Sequence, residues 1–98
     1  MKQLIGLYYI KDELSDLRIS NFLEMPNDAV ACKSFIKFLE DKKEDKHLYS
    51  LYRLTVVDAN NLIAEDVKDK PNLICRGASA EDEFNVLMAK MFNSEEVE

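Results

Sequence analysis

Glycine and proline are scarce, with two of each in 98 residues. That excludes a flexible low-complexity chain and points to regular elements joined by short loops. The two glycines, Gly6 and Gly77, lie in unrelated contexts, so no glycine-rich loop is available to cradle a phosphate. Cysteine occurs twice, at Cys32 and Cys75. No CxxC pair exists, and the expectation is two buried, reduced thiols of a cytosolic chain. A single bridge between them is allowed but not required. Histidine occurs once, at His47, and there is no HExxH spacing, so converging metal ligands are missing. Long apolar runs are also missing. Leu4–Ile10 is too short to span a membrane and lacks a small-residue cleavage site, so neither a membrane segment nor a secretory leader is expected.

Cations are short in the second half. Residues 1–55 hold nine Lys/Arg and nine Asp/Glu, whereas residues 56–98 hold four and ten, and carry the whole net charge of −6. Binding to phosphate backbones draws on cations that displace counterions. Any nucleic-acid contact is therefore expected from the first half, weak and salt-sensitive. An acidic surface otherwise suits a basic protein patch.

What is present fits one modest domain. The apolar fraction is 47%, ordinary for a globular chain, and a chain of this size buries roughly two thirds of its unfolded surface. The segment "KQLIGLYYI" reads as a strand buried on at least one face, and "LRISNFLEM" as a weaker extended segment that can pair with it. "PNDAVACKSFIKFLEDKK" is the clearest helix. Asn27 is a good N-cap, Asp28 suits the positive end of the dipole, and Lys42 and Lys43 suit the negative end. Cys32, Phe35, Ile36 and Leu39 form an apolar stripe. The charge run Glu40–Lys46 reads as a solvated helix end and loop.

A strand follows from Leu48, then the turn signal "DANN", with "LIAEDV" able to return as a hairpin arm. Leu73–Cys75 reads as a last strand or edge segment. Ser79 and Asp82 have capping-box spacing before a second helix, on which Phe84, Leu87, Met88 and Met91 share a face. The order β–β–α–β–β–(β)–α, without regular alternation, predicts an antiparallel sheet with helices on one face, an α+β domain.

Few constellations could carry chemistry. A Cys32–His47 nucleophile pair is opposed by the place of Cys32 on the apolar stripe, where thiols are inert. Asp12/Glu13 and Asp82/Glu83 are adjacent pairs expected to face solvent. The segment from Leu48 interleaves aromatic and basic residues. Strict alternation puts Tyr49, Leu51, Arg53, Thr55 and Val57 on one face and Leu48, Ser50, Tyr52, Leu54 and Val56 on the other. If the helices cover the second, more apolar face, Tyr49 and Arg53 point to solvent. There they can stack on a base and meet a phosphate, or form an ordinary cross-strand aromatic pair beside a surface charge.

Three segments together resemble the small non-structural protein of gokushovirus-type microviruses, tailless phages with single-stranded DNA. They are "YYIKD" (Tyr8–Asp12), "NDAVACKSF" (Asn27–Phe35) and "HLYSLYRLTVVD" (His47–Asp58), the last matching at Tyr49, Leu51, Tyr52, Leu54 and Asp58. Lys33 stands where that family has arginine, Thr55 stands where glycine is common, and Arg53 adds a cation. The resemblance runs from residue 4 to about residue 66 and leaves the C-terminal helix unmatched. It implies a phage-encoded, non-virion protein of the host cytoplasm, linked to single-stranded DNA synthesis, and brings no catalytic residues.

The expected fold is thus α+β, a small antiparallel sheet with two helices on one face. One domain covers residues 1–93, and an acidic flexible tail covers 94–98. The expected function is a non-enzymatic accessory role in phage genome replication or packaging. The expected nucleic-acid contacts are Tyr49 and Arg53, then Lys33 and Lys37. The partners are single-stranded DNA, or a phage or host replication protein, with no membrane; a homodimer is left open. The alternative is an acidic interaction module that binds or inhibits a host or defence protein through Glu81, Asp82 and Glu83. No catalytic residue, metal or cofactor is expected.

Overall fold

The computed structural model describes residues 4–42, 45–60, 63–64 and 71–96. Within them the chain forms six strands and two α-helices. The strands are β1 (Leu4–Asp12), β2 (Leu17–Arg18), β3 (Leu23–Met25), β4 (Tyr49–Asp58), β5 (Ile63–Ala64) and β6 (Asn72–Arg76); the helices are α1 (Asp28–Leu39) and α2 (Ala80–Glu96). Every strand pairing is antiparallel. The α+β expectation of an antiparallel sheet with two helices is met.

The sheet is built on two long central strands, β1 and β4. The short strands β2 and β3 pair with successive parts of β1, while β5 and β6 pair with successive parts of β4. The "LRISNFLEM" segment therefore supplies two strands. Between β1 and β2 the turn is held by Asp12, whose Oδ1 accepts from the Leu14 amide at 2.9 Å. Asp16 there takes a positive φ of 62°, a conformation that aspartate tolerates better than most side chains.

Helix α1 begins as its sequence predicts. Asn27 Oδ1 accepts from the Val30 amide at 2.9 Å, satisfying one of the free donors of the first turn. Cys32, Phe35 and Leu39 are buried with Ala29 and Ala31, and Ile36 packs at their margin. They meet Tyr8 and Ile10 of β1, Leu51 of β4 and Cys75 of β6 in one core. Each large apolar side chain buried there contributes about 1.5–3 kcal/mol.

Helix α2 starts differently from the capping-box expectation. A 3-10 turn, Gly77–Ser79, runs straight into it, so Ser79 is not a separate N-cap. Glu83, in the first turn, instead accepts the Arg76 amide at 2.7 Å. Phe84 and Leu87 pack against the core, but Met91 is exposed. The helical backbone continues through Ser94–Glu96; Val97 and Glu98 of the expected tail lie outside the described residues. Lys43 and Glu44 of the charge run, and Leu62 and Glu65–Val67 of the expected hairpin arm, lie outside the described residues.

Gly77 is fixed by a close approach. A Cβ at this position would sit 1.7 Å from the Lys46 carbonyl oxygen and 2.9 Å from that of Tyr49. The segment Lys46–Tyr49 rests directly on the glycine backbone, and this contact sets how β4 enters the sheet.

Candidate functional site

The pairing of β4 with its neighbours β1 and β6 carries two bulges. Leu7 pairs with Thr55 and Tyr8 with Arg53, so Leu54 has no partner on β1. Leu51 pairs with Cys75 and Tyr52 with Leu73, so Ile74 has none on β4. Directly opposed residues share a face. Tyr49, Leu51 and Arg53 consequently lie with Ile10 and Tyr8 on the helix side, as do Val56 and Asp58 beyond the bulge. This reverses the expected orientation of Tyr49 and Arg53. Strict alternation groups Val56 with Leu48, Tyr52 and Leu54 and makes the wrong face look the more apolar.

The inward position of Arg53 brings it to a partner that no local pattern signals. Its Nη1 donates to Asp28 Oδ1 at 2.8 Å and Oδ2 at 3.0 Å, and the Tyr8 hydroxyl donates to Asp28 Oδ1 at 2.6 Å. Three residues from β1, α1 and β4 thus clamp the helix N-terminus onto the sheet. Burial, then the hydrogen bond and charge of Asp28, push the Tyr8 hydroxyl far above its ordinary range, with Arg53 opposing. Burial lowers the Arg53 guanidinium, but the Asp28 carboxylate outweighs it and the net direction is upward. Tyr49 is half-buried, edge-on to Phe38 of α1 with ring centroids 5.4 Å apart.

The opposite face of the sheet, which neither helix covers, carries an aromatic row. Phe22, just before β3, meets Tyr9 of β1 edge-on at 5.9 Å, and Tyr9 stacks on Tyr52 of β4 at 5.6 Å with an interplanar angle of 13°. Leu73 of β6 pairs with Tyr52 and extends the row. Phe22, Leu54 and Leu73 are exposed large apolar groups here.

A basic row runs alongside. Arg18 pairs with Lys11, Lys11 with Ser50, and Ser50 with Arg76. Successive same-face rows of a sheet lie about 7 Å apart. The rows interlock, with Lys11 Nζ 5.4 Å from the Tyr52 ring centre and the Arg18 guanidinium 4.5 Å from that of Phe22. Tyr9, Lys11, Asp16, Arg18, Phe22 and Leu54 line a shallow groove of about 310 Å³.

Acids rim this face. Lys11 pairs with Asp16 at 2.5 Å and with Glu13 at 3.5 Å; the hydrogen bond to Asp16 is the main cause that raises the Lys11 ammonium. The Tyr52 hydroxyl donates to Glu13 Oε2 at 2.8 Å. Burial raises the Tyr9 and Tyr52 phenols, so both rings stay neutral. The face offers flat π-surfaces, hydroxyl groups and long cationic side chains, but Lys11, Arg18 and Arg76 are matched in number by Glu13, Asp16 and Glu24, the last opposite Leu7.

The remaining expected positions do not join this face. Lys33 and Lys37 are exposed on α1, in the layer behind the sheet. Glu81 and Asp82 are exposed in the first turn of α2, whereas Glu83 is engaged by the Arg76 amide. His47 is exposed in a 3-10 turn, and Cys32 is fully buried. Among the described residues, no group of three or more His, Cys, Asp or Glu is placed to hold a metal ion, and no helix is long and apolar enough to cross a membrane. Comparison of the chain with protein-family models, curated proteins and solved structures finds no match.

Proposed function

We propose that the chain is a non-enzymatic accessory protein that contacts single-stranded DNA weakly through the open face of its sheet. The observation that carries this is the aromatic row Phe22–Tyr9–Tyr52 beside the basic row Arg18–Lys11–Arg76. Sheet-borne aromatic rings stack on unpaired bases without regard to sequence, while cations track the backbone. The phage setting, a non-virion protein acting in genome replication or packaging in the host cytoplasm, is the one that the microvirus resemblance implies. The contact is weak because Asp16 and Glu13 occupy Lys11 and the chain carries −6 overall. Duplex DNA keeps its bases stacked and is bound more weakly still.

Fluorescence anisotropy with a labelled oligodeoxynucleotide at low salt tests the reading. Tyr9→Ala and Tyr52→Ala are each expected to weaken binding by roughly 5- to 150-fold, the range that corresponds to losing one stacked base. Neutralising Arg18 or Arg76 flattens the slope of log affinity against log salt by about 0.7 for each phosphate no longer neutralised. Lys33→Ala with Lys37→Ala changes affinity little. No binding at low salt with tens of micromolar protein, or binding indifferent to Tyr9 and Tyr52, removes the proposal.

A second reading rests on Glu81 and Asp82. They line, with Glu40 and a single cation, Lys46, a cleft of about 400 Å³ at the start of α2, and suit a basic protein partner. Reversing their charges, and leaving Glu83 in place as the acceptor for Arg76, tests that reading without disturbing the helix start.

A further inference from the structure

The core contains two nucleophilic groups that the open face does not use. Cys32 on α1 and Cys75 on β6 are both fully buried free thiols. Their sulfurs are 3.1 Å apart, so an approach of about 1 Å further reaches the covalent S–S length of about 2.05 Å. The pairing of Cys75 with Leu51, set by the bulge at Ile74, turns its side chain toward α1. Cys32 lies on the core stripe of α1, and its sulfur is also 3.6 Å from the Ala80 carbonyl oxygen at the start of α2. The two thiols therefore sit where both helices and the sheet meet, 43 residues apart in sequence.

We propose that Cys32 and Cys75 are a modification site, a dithiol that a small disulfide oxidant converts to an intramolecular disulfide tying α1 to β6. The step begins with a thiolate. The hydrogen bond shared by the two sulfurs lowers the Cys32 thiol and raises that of Cys75, to which burial adds. Both sulfurs are nonetheless equally buried and in mutual contact, so either can attack first. With Cys32 first, its thiolate breaks the oxidant's S–S bond, forms a mixed disulfide and releases one small thiolate. The Cys75 sulfur, losing its proton, then attacks the Cys32 sulfur and displaces the second small thiolate. Two protein thiols lose two protons and two electrons, and the oxidant takes up those electrons as two thiols. Because both sulfurs are buried, the first encounter requires local opening between α1 and β6. Closure is therefore slow, but it does not require global unfolding.

The site is independent of what the open face binds. The full chain, reduced and then held in native buffer with excess 2,2′-dithiodipyridine, is quenched in acid over a time course and weighed intact. The expected product is monomeric, lighter than the reduced chain by about 2 Da, and yields one cross-linked peptide pair containing Cys32 and Cys75. Its thermal midpoint rises by roughly 10 °C or more, as closing a long loop should produce, and dithiothreitol returns it to the starting value. Thiols that stay unmodified until denaturant unfolds the chain would overturn the proposal. So would persistent pyridyl adducts on one cysteine, or a disulfide that links two chains.

Discussion

Asp28 is the residue on which the register of α1 over the sheet depends most directly. Replacing it with alanine removes the acceptor of the 2.6 Å bond from Tyr8 and of the two bonds from Arg53 at 2.8 and 3.0 Å. Hydrogen bonds to charged groups contribute about 1.5–3 kcal/mol each when well shielded. The side chains of Arg53 and Asp28 are 19% and 30% exposed, so solvent screening discounts the pair below a fully buried one. Asp28 also occupies the first turn of α1, a dipole term of about 0.3–1 kcal/mol. Together these give a loss of about 2–4 kcal/mol for Asp28→Ala. The measurement is urea unfolding followed by far-UV circular dichroism, with the slope checked for constancy so that the midpoint reports stability. A cycle with Arg53→Met isolates the pair, because the dipole term survives in that background; a coupling of about 1–2 kcal/mol is expected. A loss below about 0.5 kcal/mol, with no coupling, would place Asp28–Arg53 among ordinary surface ion pairs and refute the clamp.

Two further outcomes follow from the same layer. Tyr8 has a folded-state hydroxyl raised above the ordinary tyrosine value of 10.0, so the folded chain holds that proton more tightly than the unfolded one. The stabilisation is complete below about pH 10 and is lost progressively as pH rises above it; Tyr8→Phe should flatten this alkaline decline in a stability-versus-pH series while costing about 1 kcal/mol at neutral pH. Gly77→Ala places a methyl group 1.7 Å from the Lys46 carbonyl oxygen, a backbone atom that cannot swing aside as a side chain would. It should cost about 3 kcal/mol or more, seen as a drop in thermal midpoint of more than about 10 °C; a variant as stable as the parent would show that Lys46–Tyr49 does not rest on this glycine.

The elements of this fold are legible in the sequence because each is written locally. Asn27 and the Cys32–Phe35–Ile36–Leu39 stripe define α1, and the β-branched and aromatic runs define β1 and β4. The polar turn after Asp12 ends the first strand. What local pattern cannot supply is the face. A strand's alternation tells which residues go together only while the period of two is unbroken. Leu54 breaks it in β4 and Ile74 breaks it in β6, and neither is a glycine or any other residue that announces a bulge. The clamp is hidden for another reason. Asp28 lies 20 residues from Tyr8 and 25 from Arg53, and each of the three has a plausible local role: core aromatic, helix-dipole acid, surface cation.

The same break explains how one narrow strand serves both layers. With Leu54 as the extra residue, Arg53 reaches Asp28 while Val56 and Asp58, three and five positions later, still face the helices. Without it, Val56 and Asp58 would turn outward with Tyr52, and the buried Asp58 (3% exposed), which accepts from the Asn60 amide, would leave its turn. The register that follows from the bulge also sets Tyr52 opposite Tyr9 and not opposite a neighbour of the other face. The aromatic row is therefore a product of pairing: Tyr9, Phe22 and Tyr52 come from three segments, and no spacing in the chain joins them. Tyr49 and Arg53 hold the inner layer together, and their neighbour Tyr52 lies on the opposite face, stacked on Tyr9. That is why the interleaving of aromatic and basic residues in this strand assigns no face until its register is known.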